Sequence, residues 1–167
     1  CLNTEGTVLF VIRRTQIVEV YDTETMELMH KMKIDRGTGF NDMVYHEHNG
    51  NKKLYACTGL RDSSKSLIVV FNVNTDTNEY KVEESIECPV AELRCLYIAD
   101  FNGEQPTLFA GGRKSIEIYN LASDKMQFRG KHDLAENTPI YAICFDDNTN
   151  TLCYCKQLQN TQFGSVH

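Results

Sequence analysis

The stretch SIEIYNLASD, residues 115–124, has two approximate copies upstream: QIVEVYDTET at residues 16–25 and LIVVFNVNTD at residues 67–76. Each copy is a β-rich apolar run that ends in an aromatic residue followed by Asp or Asn and then enters a polar turn. These pairs lie 50 and 48 residues apart, at Tyr21-Asp22, Phe71-Asn72 and Tyr119-Asn120. A nearly constant spacing with strand-like sequence inside each unit indicates that the chain repeats one sheet module.

A second register of repetition supports the first. Residues 54–57, LYAC, line up with residues 8–11, 108–111 and 152–155. Apolar residues recur at i and i+2 throughout, and no long helical period is present, so the chain is predicted to be almost all β. A period of this length predicts a β-propeller-like repeat of four-stranded antiparallel blades. The alternative is a single β-sandwich, which would ignore the repeat.

The units are expected at about residues 1–35, 40–87, 91–131 and 139–167, within one propeller segment. Since propellers have typically 4–8 blades, two full and two partial units predict a partial propeller. Its further blades would come from a longer chain or another subunit, and the first strand of unit one from before Cys1 or from the other end. The equivalent apolar positions of the repeat are predicted to be buried: Val18, Val20, Ile68, Val70, Ile116 and Ile118.

Composition limits the classes of partner and compartment. The seven cysteines are an odd number, and most lie in apolar strand runs, which favours free thiols and a cytoplasmic or nuclear setting. Formal net charge is −6, and the acidic residues are spread along the chain. Such a surface disfavours nucleic acid, which needs clustered Lys and Arg. No apolar run approaches the ~20 residues that cross a bilayer, so no membrane partner is expected.

Three local patterns suggest chemistry, and each has a simpler structural interpretation. Residues 110–115, AGGRKS, resemble the end of a phosphate loop, but a strand follows instead of a helix, so we expect a hairpin turn in which Gly supplies positive φ. Cys144, Cys153 and Cys155 lack the spacing of a zinc knuckle and are interpreted as buried free thiols. His46 and His48 are placed at the solvated tip of a polar loop, residues 46–51. We therefore identify no catalytic, cofactor-binding or metal-binding residues.

The aromatic-Asp/Asn pairs, together with Gly130-Lys131-His132 before the next unit, resemble the WD-repeat family of β-propellers in degenerate form. The chain has no Trp, so the hydrogen-bond relay of that family cannot be complete in any unit. The resemblance implies a non-catalytic scaffold that binds protein partners in a larger intracellular assembly. The alternative is a propeller enzyme or small-molecule-binding propeller with its site in the central channel.

Loops that interrupt the repeat are the expected contact sites: residues 60–65, 99–105 and 132–138. Arg and aromatic residues dominate interface hot spots. The candidate partner-binding residues are therefore Arg61, Phe101, Arg113 and Tyr45.

Overall fold

The computed structural model describes residues 1–13, 15–60, 64–100, 105–121, 125–135, 138–146, 148–149 and 151–156. This part of the chain forms thirteen strands, which we number in chain order. The first seven are β1 (Val8–Ile12), β2 (Ile17–Asp22), β3 (Leu28–Lys33), β4 (Phe40–His48), β5 (Asn51–Gly59), β6 (Ser66–Asn74) and β7 (Glu79–Cys88). The remainder are β8 (Cys95–Ala99), β9 (Thr107–Gly111), β10 (Ser115–Asn120), β11 (Gln127–Asp133), β12 (Ile140–Asp146) and β13 (Thr151–Lys156).

The strands form four sheets in chain order, which we call blades 1 to 4: β1–β3, β4–β7, β8–β11 and β12–β13. Every pairing inside a blade is antiparallel between sequence neighbours. Blade 1 has a partial strand beside β1, where Leu2 bridges Leu9 and the Phe10 amide donates to the Cys1 carbonyl at 2.8 Å. Residues 1–3 therefore occupy part of the place of the first strand, for which the sequence predicted residues before Cys1 or from the other end.

Consecutive blades stack face to face, and alternate residues of one strand contact different neighbours. In β6, Val69 packs with Val18 and Val20 of blade 1, whereas Ile68 and Val70 pack with the core residues of blade 3. Both faces of β6 are buried. A two-layer β-sandwich would leave one face of each sheet outside the core, so the structure supports the propeller-like arrangement instead.

The predicted core positions are confirmed for Val18, Val20, Ile68, Val70 and Ile116, each of which is buried. Ile118 is only half-buried, which corrects the prediction for that residue. It lies on the face of β10 that is turned toward blade 4. There β12 packs mainly against β8 and β9, so the described part of blade 4 leaves Ile118 incompletely covered.

Two turns differ from their sequence-based interpretation. The loop expected at residues 46–51 is absent, because β4 continues to His48 and β5 begins at Asn51. Asn49 and Gly50 alone make the turn, both with positive φ (52° and 75°), as a two-residue hairpin turn requires. His46 is therefore a strand residue and not part of a solvated tip.

The hairpin between β9 and β10 also has a different geometry from the expected one. Lys114, not a glycine, adopts positive φ, at 77°. The glycines are needed for close packing: a Cβ on Gly111 would lie 2.6 Å from Cys95 Sγ, and one on Gly112 would lie 2.3 Å from Val90 Cγ1. Their small size lets the turn of blade 3 sit directly against its neighbours.

All seven cysteines are free thiols, and Cys57, Cys88 and Cys95 are buried. Cys144, Cys153 and Cys155 are exposed, so their interpretation as buried thiols is wrong. Cys144 pairs directly with Cys153 across β12 and β13, on the face opposite Ile143, which packs on blade 3. Among the residues that the structure describes, nothing covers that face.

Candidate functional site

One face of the stack carries the turns that precede β2, β4, β6, β8 and β10, and we call it the cleft face. Backbone hydrogen bonds join these turns across blades. The Phe40 amide donates to the Thr15 carbonyl at 3.1 Å, and the Arg113 amide donates to the Ala91 carbonyl at 3.0 Å. The turns are thereby held at fixed positions, and clefts lie between blades 1 and 2 and between blades 2 and 3.

The first cleft lies between blades 1 and 2 and has a volume of about 640 Å³. Glu87, near the end of β7, accepts from Arg36 at 2.5 Å and from Lys65 at 3.2 Å. Hydrogen bonds from Arg36 and then Lys65 lower the pKa of Glu87, so its carboxylate is ionised at neutral pH. The lining residues are Gln16, Asp35, Arg36, Gly37, Leu60, Lys65 and Glu87. Two cations and two carboxylates balance each other in this cleft.

The second cleft lies between blades 2 and 3 and has a volume of about 430 Å³. Its ion pairs are Arg113–Glu92 at 3.3 Å and Lys131–Asp133 at 3.0 Å. The structure gives the exposed Lys114 no ion pair among the described residues. The lining residues are Ser64, Pro89, Val90, Ala91, Arg113, Lys114, Ser115, Lys131 and Asp133.

The two clefts are equivalent positions of the repeat. Lys65 and Arg113 each lie in the turn that leads into the third strand of a blade. Glu87 and Asp133 lie opposite Leu67 and Ser115 in the pairing of the third and fourth strands. The clefts therefore share their backbone framework and differ in charge, since cations outnumber carboxylates only in the second.

Polar side chains of the inner strand β4 bind the next blade. Asn41 donates to the Leu93 carbonyl at 2.6 Å, Asp42 accepts from the Leu96 amide at 2.8 Å, and His46 lies 3.0 Å from Asp100. Burial raises the pKa of Asp42, because the charged carboxylate loses contact with water. Asn41 and Asp42 satisfy backbone groups of the next blade, whereas His46 pairs with a side chain, and all three contacts have a structural role.

The core between blades 2 and 3 contains a group of reactive residue types. Tyr119 donates to Glu117 Oε2, and Cys88 Sγ lies 3.2 Å from the Tyr119 hydroxyl. Burial raises the pKa of Cys88 and of Cys95 to about 12 each. A thiol with so high a pKa is protonated at neutral pH and is a poor nucleophile. Within the described residues, no three His, Cys, Asp or Glu side chains are placed to hold a metal ion.

The sequence-predicted contact residues are dispersed. Arg113 lines the second cleft. Tyr45 lies in β4 and not in a loop, half-buried, with its ring stacked on Phe10 at a centroid distance of 5.8 Å. Arg61 and Phe101 lie outside the described residues.

Sequence reasoning missed Lys114 and Lys131 of the second cleft. The two lysines lie in the same cleft because of the register of β10 with β11, in which Glu117 lies opposite Lys131. The sequence alone provided no residue-level register. The basic pair Arg113-Lys114, in a turn that joins two strands, was the available signal.

Comparisons with known proteins support the fold and no finer identity. No protein-family model matches the sequence, and no curated protein matches it. One similar solved structure is the β-propeller domain of Cps50 (Swd1) from Myceliophteria thermophila, with a TM-score of 0.62 and 15% sequence identity. The match covers 93% of this chain and 46% of that chain, so this chain spans less than half of the matched structure. At this identity the likeness establishes a β-propeller fold, here a partial propeller of open sheets. No helix in the described part of the chain has the length and apolar character to cross a membrane.

Proposed function

We propose that the protein is a non-catalytic interaction scaffold in a larger intracellular assembly and binds protein partners through the loops at its blade faces. The observation that carries this proposal is the cleft face, where turns of successive blades form two adjacent clefts with charged side chains at their rims. Clefts with a rigid framework and variable charges are suited to recognising partner segments.

The distribution of chemistry in the molecule supports the same function. The polar residues of the inner strand and the buried pair Glu117 and Tyr119 bind other parts of the same chain. The net charge of −6 disfavours binding to nucleic acid and leaves protein partners as the expected class. The proposal includes further blades, which come from the rest of a longer chain or from another subunit. It also includes a cytoplasmic or nuclear location and a distant WD-repeat ancestry.

Affinity capture of the full-length protein from lysate tests the function. We compare the wild type with an Arg61→Ala/Arg113→Ala variant, which changes a predicted contact residue together with a residue of the second cleft, and with Phe101→Ala, a predicted contact residue of the sequence between β8 and β9. A Tyr45→Phe variant keeps the ring that stacks on Phe10 and removes only the hydroxyl. The proposal expects at least one partner to be lost from the cleft-face variant. Unchanged partners in every variant, together with turnover of a copurifying small molecule, would favour an enzyme instead.

A further inference from the structure

The second cleft has an excess of cationic side chains on a protein that is acidic overall. Arg113, Lys114 and Lys131 line it against a single lining carboxylate, Asp133. Glu92, just outside the lining, is shared between Arg113 at 3.3 Å and Arg94 at 3.0 Å, so it neutralises neither cation completely. Among the described residues, the equivalent first cleft has as many carboxylates as cations, so the excess belongs to this position and not to the repeat.

The remaining walls of the second cleft define the shape of a ligand. Pro89, Val90 and Ala91 form an apolar wall on the side of blade 2, and buried Ser115 lies on the side of blade 3. A volume of about 430 Å³ falls within the ~300–1,000 Å³ of ordinary ligand pockets and accommodates a few side chains. A ligand that fits both walls presents carboxylates to one and small apolar groups to the other.

We propose that the second cleft binds an extended acidic peptide segment of a partner protein, in which carboxylate side chains alternate with small apolar ones. Successive side chains of an extended chain point to opposite sides, so this alternation directs the carboxylates to Arg113, Lys114 and Lys131 and the apolar groups to the wall of residues 89–91. The proposal rests on the scaffold function. Nucleic acid is disfavoured because its backbone needs a long basic track, whereas these cations are confined to one cleft.

The probe is the fluorescein-labelled peptide GDVDVDG, with GNVNVNG as the uncharged control. Binding is measured by fluorescence anisotropy on the full-length protein. The test variant is Lys114→Asn/Lys131→Gln, since Asn tolerates the positive φ of 77° at position 114. The matched control is Lys33→Gln/Lys81→Gln, which removes the same charge from exposed strand positions elsewhere.

The proposal expects the test variant to bind the acidic peptide about tenfold more weakly, since two exposed ion pairs with the peptide are lost. The control variant should bind like the wild type, and GNVNVNG should not bind. In amide NMR spectra, the acidic peptide should shift Ala91, Arg113 and Ser115 and leave Gly37 and Leu60 of the first cleft unchanged.

Three results would overturn the proposal: no shift at the second cleft at about 1 mM peptide, equal weakening in both lysine variants, or displacement of the peptide by a single-stranded oligonucleotide. Failure of the scaffold function is a separate outcome. If partner capture depends on Arg113 but GDVDVDG does not bind, the partner uses other chemistry and only the present proposal falls. If GDVDVDG binds and no captured partner depends on the cleft, the scaffold function falls.

Discussion

The buried pair Glu117 and Tyr119 provides a quantitative test of the packing between blades 2 and 3. Glu117 is fully buried, its Oε2 accepts from the Tyr119 hydroxyl, and the Cys88 thiol lies beside the pair. The other oxygen, Oε1, has no partner among the described residues. Burial raises the pKa of Tyr119, so its phenol remains protonated and able to donate. The Tyr119→Phe substitution therefore removes the phenolic donor from a buried carboxyl group.

The expected cost follows from the kind of hydrogen bond that is lost. A buried acceptor that loses its hydrogen-bond partner costs about 1–3 kcal/mol, so Tyr119→Phe should lower the free energy of unfolding by about 2 kcal/mol. For a chain of this size, that corresponds to a fall in Tm of about 4–8 °C. Removing both polar groups should cost much less, because no unsatisfied group remains. Blade 2 has Val69 and Phe71 at the equivalent positions, both buried, so an apolar pair is compatible with this environment.

The assay is a double-mutant cycle in urea, followed by circular dichroism, with Glu117→Met as the second substitution because Met is close to Glu in length. Tyr119→Phe should cost about 2 kcal/mol in the wild-type background and under about 0.5 kcal/mol beside Glu117→Met. The matched control is Tyr21→Phe in blade 1, where Tyr21 donates to Glu19. This substitution should lower the free energy of unfolding less, because Arg13 and Lys31 also pair with Glu19. If Tyr119→Phe costs the same in both backgrounds, the two side chains are not coupled and the reasoning is wrong.

Three further predictions use the same unfolding measurement. Ile116→Ala should lower the free energy of unfolding by about 2–5 kcal/mol and Ile118→Ala by clearly less, because only Ile116 is fully buried. Equal losses would contradict the incomplete covering of Ile118 by blade 4. Gly111→Ala should cost about 1–3 kcal/mol by overpacking, whereas Gly130→Ala, which meets nothing within 4 Å, should be nearly neutral or stabilising. Burial raises the pKa of Asp42 above 3.8, so the stability that its neutral form gives is present at low pH and is lost as pH rises through that raised pKa. Asp42→Asn should therefore gain stability relative to the wild type as pH increases from about 4 to 7, and a constant difference would refute the assignment.

The repeat was predictable from sequence because it depends on spacing and alternation. The pairs at Tyr21, Phe71 and Tyr119 occupy equivalent places in the structure, each opposite an apolar residue of the fourth strand and next to a register shift. Alternation correctly indicated that Val18, Ile68 and Ile116 are buried, and in the structure each faces the following blade. Spacing and alternation are properties of a single strand, so they can be recognised in the sequence without knowing how the strands pair.

Features that depend on pairing or on neighbouring blades were less accessible. The aromatic-Asn pair predicts a polar turn after Asn72, but β6 continues to Asn74, whose side chain accepts from the Asp76 and Thr77 amides at 3.1 Å. The exposure of Cys144 depends on whether another sheet covers β12, which the cysteine's own strand sequence does not reveal. The charge excess of the second cleft likewise arises from three segments that are separate in sequence.

Methyl–methyl NOEs from β6 test the stacked-blade fold most directly. The account predicts that Val69 shows NOEs to Val18 and Val20 of blade 1, while Ile68 and Val70 show NOEs to Leu108 and Ala110 of blade 3. Val69 and Val70 should therefore report two different neighbours although they are adjacent in sequence. NOEs from both residues to the same sheet, or from only one of them to any other sheet, would contradict the propeller arrangement and support a two-layer sandwich.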